Sequence, residues 1–440
     1  MKLLVVCQYF YPEQFRLNDV CFNLAASGHE VTVLTGLPNY PQGEVFPGYG
    51  WKELEEIEQS GIKLQSTDLR YDKHLNAFVE QIHGVKVIRV NLRPRLSGKK
   101  NLAKNYLSFI KEGNKVSKSM AQLYKSDVEK GLESESVYSF DKIIVFQYSP
   151  VTMALPAITF KKKSGADIPI YLYCFDLWPE SIVSAGLSKT GPIYYGIKLL
   201  SKYIYAQADG LWISSHKFKN YFIHKLKVTK PFHYLPIYAE QLFLTKKSST
   251  SPQSNNKINF LFAGNIGEMQ SVETILYACN LVLEKGYNPV FHMVGEGSSY
   301  KKITDLSAYL GLPNSNIIFY GQHPLSEMPH FYDMADAFLV TLKKDEFISY
   351  TLPGKVQSYL AYGKPIVAAI DGEASRVITD ASCGFVGAAE DYETLSSNII
   401  RFMELSPLER EEYGDSAREY YENHFSQKIF FENLDKLLAE

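Results

Sequence analysis

Residues 351–365 read TLPGKVQSYLAYGKP. Val356, Tyr359, Leu360 and Gly363 fall at i, i+3, i+4 and i+7, which predicts a helix with one buried face. Pro353 suits the approach to its start, and Gly363-Lys364-Pro365 ends it before the apolar run PIVAAI (365–370). Lys355 then falls on the first turn. A cation there opposes the partial positive charge of a helix N-terminus, unless an anion occupies the same place. Taken alone, such a lysine is more often a surface residue than a ligand.

The helix is one step in a repeating pattern. In the second half of the chain, INFLFAG (258–264), NPVFHMVGEG (288–297), NIIFYG (316–321), ADAFLVTL (335–342), PIVAAI (365–370) and GFVGAA (384–389) alternate with helical stretches. In the first half, LLVVCQYF (3–10), HEVTVLT (29–35), VKVIRV (85–90), DKIIVFQ (141–147), IPIYLYCFD (168–176) and DGLWISS (209–215) do the same. These runs are β-rich, continuously apolar and spaced for helical crossovers, as in parallel sheets covered on both faces. TKKSSTSPQSNNK (245–257) reads as a polar linker between the halves. The expected fold is α/β, with two Rossmann-like doubly wound parallel-sheet domains facing a central cleft. Such sheets bind ligands at the C-terminal edges of their strands.

Composition agrees with a globular protein: of 440 residues, 45% are hydrophobic and 21% charged. No stretch approaches an uninterrupted membrane span, and MKLLVVCQYFYPEQF reads as a first strand. The five cysteines lack pairing or CxxC spacing, the usage of reduced, cytosolic thiols. Residues 1–230 carry 30 basic and 21 acidic residues, a net of +9; residues 231–440 carry 16 and 27, a net of −11. Opposite signs suggest domains with different partners. Residues 51–82 are polar and read as an insertion over the surface. Residues 86–125 hold eleven basic residues against Glu112, interleaved with Leu102, Tyr106, Leu107, Phe109 and Ile110. This segment, with the lysine- and tyrosine-bearing GIKLLSKYIYAQ (196–207), reads equally as a solvated basic helix or as a surface for anionic lipid.

The chemistry concentrates at strand ends. Gly264-Asn265-Ile266-Gly267 lies between a strand and a helix, where glycines let backbone N–H groups approach a phosphate. Gly295 and Gly297 of VGEGS (294–298) and the YGQHP stretch (320–324) with His323 end the next two strands, which suggests a nucleotide-sized pocket. Asp176 and Glu180 of DLWPES end a buried strand in the first half, where either carboxylate can orient or deprotonate a hydroxyl. Glu180 alone fits an N-cap or a salt bridge better. Glu373 in IDGEASRV can meet sugar hydroxyls, and Arg376 can pair with it or with a diphosphate. No DxD motif and no His or Cys cluster with metal-ligand spacing occurs.

The succession VGEG, NIIFYGQHP, ADAFLVTL and PGKVQSYLAYGKPIVAAI is similar to the nucleotide-sugar domain of glycosyltransferase family 4, which has the GT-B fold. QYFYPEQFRLND (8–19), GHEVTVLTGLPNYPQG (28–43), NYLSF (105–109), SPVTMALPA (149–157) and DLWPES extend the resemblance through the first half. They resemble the O-antigen and capsule branch, which includes N-acetyl-L-fucosaminyl transferases. The family places an arginine and a lysine five apart on the donor diphosphate, where this chain has Asn265 and Gln270. Two glutamates eight apart are replaced by Tyr350 and Ser358, so Gln357 and Ser358 are left to meet the ribose. Phe175 stands where a histidine often precedes Asp176.

The resemblance implies a retaining, metal-independent hexosyltransferase without a cofactor, using a UDP-sugar as donor. The sugar is expected to be N-acetylated, 6-deoxy N-acetyl-L-fucosamine being the example. The acceptor is expected to be a polyprenyl-diphosphate-linked saccharide, at the anionic inner face of the cytoplasmic membrane; no nucleic acid is expected. Residues 1–240 would form the acceptor domain and 241–420 the donor domain, with 421–440 a helix returning to the first. Lys355 is the remaining cation for the diphosphate, and Arg16 and Asn18, in and after the first loop, are expected at the cleft. A nucleotide-sugar epimerase or hydrolase of the same fold, and a non-catalytic scaffold, are the rival readings.

Overall fold

The computed structural model describes residues 1–41, 43–52, 69–96, 98–184, 188–245 and 257–440. Residues 53–68 of the expected insertion and 246–256 of the expected linker lie outside the described residues. The chain divides into two units: unit 1 holds residues 1–213 and 219–234, and unit 2 holds 214–218 and 235–440.

Unit 1 is built on a sheet with strand order β3-β4-β5-β2-β1-β6-β7-β8-β9. The strands are β1 (Lys2–Val6), β2 (Glu30–Gly36), β3 (Arg70–Asp72), β4 (Ala77–Ile82), β5 (Val85–Val90), β6 (Lys142–Gln147), β7 (Ile170–Cys174), β8 (Gly210–Ile213) and β9 (Phe232–Tyr234). From β5 to β9 neighbouring strands run parallel, with Leu4 opposite Thr32 on one side and Ile143 on the other. Leu3, Leu4, Val5 and Val6 are all fully buried, as strands covered on both faces must be.

The outer strands differ from expectation. β4 extends the sheet antiparallel to β5 and β3 adds antiparallel to β4, although residues 51–82 read as a surface insertion. Phe78 and Val79 are buried, and the polar reading fails because Glu80 receives a hydrogen bond from the guanidinium of fully buried Arg89. Arg89 also lies over the Tyr49 ring at 4.7 Å. A buried charge is tolerated where it is paired, so a polar residue need not mark the surface.

The helices that flank this sheet include α1 (Arg16–Ala26), α2 (Lys99–Glu129), α3 (Leu155–Ser164) and α4 (Pro192–Gln207). The basic segment becomes the 31-residue α2, which buries Phe109, Val116, Met120 and Tyr124. It meets α3 closely at Gly113, where an added Cβ would stand 2.7 Å from Pro156 Cγ. α4 carries no acidic residue, and Ile193, Tyr195, Leu199, Leu200 and Tyr203 on it are exposed.

Unit 2 has a fully parallel sheet in the order β12-β11-β10-β13-β14-β15. Its strands are β10 (Asn259–Ala263), β11 (Val290–Val294), β12 (Ile317–Gly321), β13 (Ala337–Thr341), β14 (Ile366–Ala369) and β15 (Gly384–Gly387), one in each expected run. Its helices include α5 (Val272–Glu284), α6 (Gly354–Tyr362), α7 (Glu373–Asp380), α8 (Pro407–His424) and α9 (Gln427–Ala439). Side chains alternate across the sheet. Leu261 and Ala263 join the core layer of Val356 and Tyr359, while Phe260 and Phe262 join that of Val272 and Ile275.

α6 is the helix expected from TLPGKVQSYLAYGKP. Pro353 precedes it with extended backbone, and Gly363 closes it in the left-handed region at φ 72°. Ser406 and Glu409 cap the start of α8 reciprocally. On α9, Phe430 packs its ring 5.0 Å from that of Tyr238.

Candidate active site

Lys355 lies in the first turn of α6 beside the turn that follows β10. Tyr359 sets this approach: its hydroxyl accepts from Ala263 N at 2.9 Å and donates to Ala263 O at 3.2 Å, and its ring stacks on Phe338 at 4.1 Å. The Lys355 ammonium donates to Gln270 Oε1 at 2.7 Å and sits 4.0 Å from the Phe262 ring centre. Gly264 lies beneath it, and a Cβ there would stand 3.0 Å from Lys355 Nζ. Burial pulls the Lys355 pKa down to about 7. Near neutral pH the lysine is thus divided between its charged and neutral forms, and an arriving anion would favour the charged one.

The glycines pack the neighbouring turns together. Gly295 N donates to Gly321 O at 2.7 Å, and a Cβ on Gly295 would overlap Gly264 O at 1.9 Å. Asn265 is exposed, with its amide against the positions where Gly267 and Gly297 would carry a Cβ, at 2.6 and 2.4 Å. The structure therefore brings Gly264, Asn265, Gly267, Gln270, Gly295, Gly297 and Lys355 to one sheet edge. The result is a small cradle of closely packed glycine turns beside one lysine at a helix N-terminus, the kind of place where a phosphate can approach the backbone.

Other candidates lie elsewhere. His323 contacts Glu327 at 2.7 Å and Tyr320 O at 3.2 Å, and packs on Phe331. Gln357 is buried and donates to Ile237 O at 2.6 Å. Ser358 is buried and donates to Glu240 Oε2 at 3.0 Å, so a carboxylate from the segment before α5 reaches the helix where the chain itself carries serine. Glu373, fully buried at the start of α7, accepts from Arg376 at 2.7 Å, and Arg376 also binds Asp380 at 2.6 Å. These two candidates are thus engaged with each other. Among the described residues, no group of three or more His, Cys, Asp or Glu side chains is placed to hold a metal ion.

In unit 1, Asp176 follows β7 at the C-terminal sheet edge. Its carboxylate accepts from Leu177 N at 2.9 Å and from the Ser181 hydroxyl, and burial pushes its pKa up to about 6. A half-buried carboxyl near neutrality can carry a proton either way. Glu180 is buried and accepts from Tyr194 at 2.7 Å and Tyr221 at 3.4 Å, a structural tie. Arg16 starts α1, close enough to Tyr148 to act on its hydroxyl electrostatically. Asn18 is buried and donates to Glu13 O at 2.6 Å, so it supports the loop rather than lining it.

Sequence reasoning overlooked Glu13. It is 1% exposed, and its carboxylate accepts from Phe10 N at 3.0 Å, Asn39 N at 2.8 Å and Tyr40 N at 2.7 Å. Its one signal was an acidic residue inside the aromatic stretch QYFYPEQF. Burial raises its pKa to about 7, against the three amides that favour the anion.

Comparison with known proteins bears on both units. The family described as glycosyl transferases group 1 matches residues 245–420. The chain is 27% identical over 277 residues to the probable glycosyltransferase WbjE of Pseudomonas aeruginosa, covering 60% of this chain and 66% of WbjE. It is 23% identical over 179 residues to the capsular polysaccharide biosynthesis glycosyltransferase CapM of Staphylococcus aureus, covering 40% of this chain and 44% of CapM. The matched stretches thus span about two thirds of one relative and under half of the other. The solved structure of Anabaena Alr3699/HepE, in complex with UDP and glucose, covers the whole of both chains with a TM-score of 0.61 at 14% identity.

The fold is GT-B. The chain is related to glycosyltransferases, among them a capsule biosynthesis enzyme. Within a GT-B chain, the cradle around Lys355 and the edge around Asp176 belong to the second and the first Rossmann-like unit respectively.

Proposed function

We propose that the protein is a retaining glycosyltransferase that moves a sugar from a UDP-sugar to a polyprenyl-diphosphate-linked saccharide in O-antigen or capsular polysaccharide biosynthesis. The observation that carries this reading is the Lys355 ammonium held over Gly264 by Gln270 at a helix N-terminus. The departing UDP gains negative charge as the bond to the sugar breaks. Lys355 and the neighbouring amide groups are positioned to meet that charge, and preorganised donors of this kind lower the barrier. Asp176 orients the acceptor hydroxyl and takes part in its proton transfer. The name of WbjE supports the reaction class, that of CapM the pathway, and the UDP bound to HepE the donor class.

The transferred sugar is N-acetylated, and N-acetyl-L-fucosamine is the 6-deoxy candidate suggested by the resemblance. The protein works peripherally at the cytoplasmic face of the membrane. Lysines of α2 and the exposed apolar residues of α4 support contact with anionic lipid. Thermal shift against a panel of UDP-sugars tests the donor, since a ligand of the folded state raises apparent stability. The preferred donor is expected to stabilise more than UDP alone; the absence of any shift with UDP and every UDP-sugar would sink the reading.

A further inference from the structure

Across the C-terminal edge of the unit 1 sheet runs a band of aromatic rings that the donor chemistry does not use. Tyr9 and Phe15 come from the loop after β1, Tyr40 from the loop after β2, Tyr148 from the end of β6 and Phe175 from the end of β7. These four strands are adjacent in the order β2-β1-β6-β7. The rings touch in sequence: Tyr40 lies 5.3 Å from Phe15, Phe15 lies 5.3 Å from Tyr148, and Tyr148 stacks on Phe175 at 4.6 Å. Tyr9 closes the group, 5.4 Å from Tyr40 and 6.0 Å from Phe15.

Exposure separates four rings of this band from core packing, while Tyr9 is buried at 6% exposure beside them. Phe10, Phe146 and Tyr173, each within five residues of the band, are 2% exposed or less. Phe15, Tyr40, Tyr148 and Phe175 are only half-buried, although they sit in a unit with a closed core beneath them. Polar groups stand around them. The Arg95 guanidinium lies 5.1 Å over the Tyr40 ring, and Tyr106 on α2 is half-buried, its hydroxyl pKa raised chiefly by burial.

The band is also rigidly built. Glu13 ties the first loop to the second through its three backbone N–H contacts. Asn39 Oδ1 accepts from Arg95 N at 2.7 Å. Asn105 Oδ1 accepts from Gln8 Nε2 at 2.6 Å and from the Tyr9 hydroxyl at 2.9 Å, while its amide donates to Arg93 O at 2.6 Å. Glu13, Asn39 and Asn105 are each 1% exposed or less. A site whose lining is held by buried polar contacts is preorganised for a ligand.

We infer that this band seats a pyranose ring of the acceptor saccharide, with Phe15 and Tyr40 as its stacking surfaces and Arg95 and Tyr106 as hydrogen-bond donors to its hydroxyls. A pyranose presents a face of C–H bonds and a rim of hydroxyls. Aromatic faces with a few polar groups at the margin match both. Asp176, next in sequence to Phe175, then lies at the end of the seat where a hydroxyl must be activated. The inference rests on the glycosyl-transfer reading for its acceptor, but saccharide binding can be measured without transfer.

The test is saturation-transfer NMR on the full chain with methyl glycosides of N-acetylglucosamine, N-acetylgalactosamine, galactose, glucose and rhamnose. At least one should bind the wild type, with saturation strongest on one face of its ring. Phe15→Leu and Tyr40→Leu should weaken that binding roughly five- to tenfold, the effect of losing one aromatic contact, while Tyr40→Phe retains it. A wild type that binds none of the panel, or leucine variants that bind as the wild type does, overturns the inference. UDP binding is read in the same samples by calorimetry. Its absence from the wild type would remove the transferase reading, and the saccharide comparison would still decide whether the band is a sugar seat.

Discussion

The two units share a doubly wound design and place their functional groups at the same sheet edge, yet they finish that edge in opposite materials. Unit 2 uses glycines and one lysine, so bare backbone turns pack closely under a single charged side chain. Unit 1 uses aromatic rings and carboxyls, so side chains come forward. Each edge also runs against the charge of its own part of the chain. The lysine sits in the acidic half, and Asp176 and Glu13 sit in the basic half. Net charge therefore describes what a surface attracts, while the site chemistry depends on a few groups held out of water.

The contrast can be broken at its strongest point by Lys355→Ala. Transfer should be abolished and UDP affinity should fall by about 1.5–3 kcal/mol, the range for a hydrogen bond to a charged group. Calorimetry reads the affinity, and wild-type UDP binding in the variant would remove the donor assignment. Binding of methyl glycosides should not change. The reciprocal variant is Asp176→Asn, which should slow transfer by roughly 10²–10⁴-fold at unchanged UDP affinity. A change in UDP binding instead of in rate would show that the two edges had been assigned the wrong way round.

Tyr359→Phe asks how Lys355 reaches Gly264. It removes both hydrogen bonds to Ala263 and leaves that buried N–H without its partner, at a cost of about 1–3 kcal/mol in denaturant unfolding. Stability equal to wild type would show that another contact sets the approach.

The depressed lysine gives a pH signature. The unfolded chain binds its proton up to the ordinary lysine range, whereas folded Lys355 releases it near 7. The unfolded state thus holds more protons between those values, so this group makes stability rise with pH from about 7 upward. A diphosphate reverses the balance by favouring the charged form. UDP affinity should be level below pH 7 and decline above it, with proton uptake visible in buffers of different ionisation enthalpy. Lys355→Met should lose both effects. The smallest effect concerns the surface of unit 1: Leu199→Ser with Tyr203→Ser should reduce co-sedimentation with anionic vesicles several-fold at low salt. Binding unchanged by the double variant would exclude α4 from the contact.

Most parallel strands in both halves were legible because each is a continuous apolar run between helical stretches; β9 is parallel too, but its three half-buried residues FHY were not among the expected runs. β3 and β4 were not, because Glu80 made their segment look polar and its partner Arg89 lies on a different strand. Lys355 was legible as a cation in the first turn of a helix. Its partner Gln270 was noticed only as a missing lysine, since nothing local joins residues 85 positions apart. Glu373 and Arg376 were readable as a pair from their i, i+3 spacing, which brings neighbours on a helix together.

By itself the sequence determined what is local or periodic: two series of buried strands, the limits of α6, the glycine-rich strand ends and the sign of each half's charge. Periodicity carries such information because it repeats within a window of a few residues. Only the tertiary structure decided which groups meet. It set Lys355 over Gly264, tied Glu13 to Asn39 and Tyr40, and gathered rings from four strand ends into one band. Those contacts depend on the order of strands in a sheet, and strand order is fixed by packing between segments far apart in the chain.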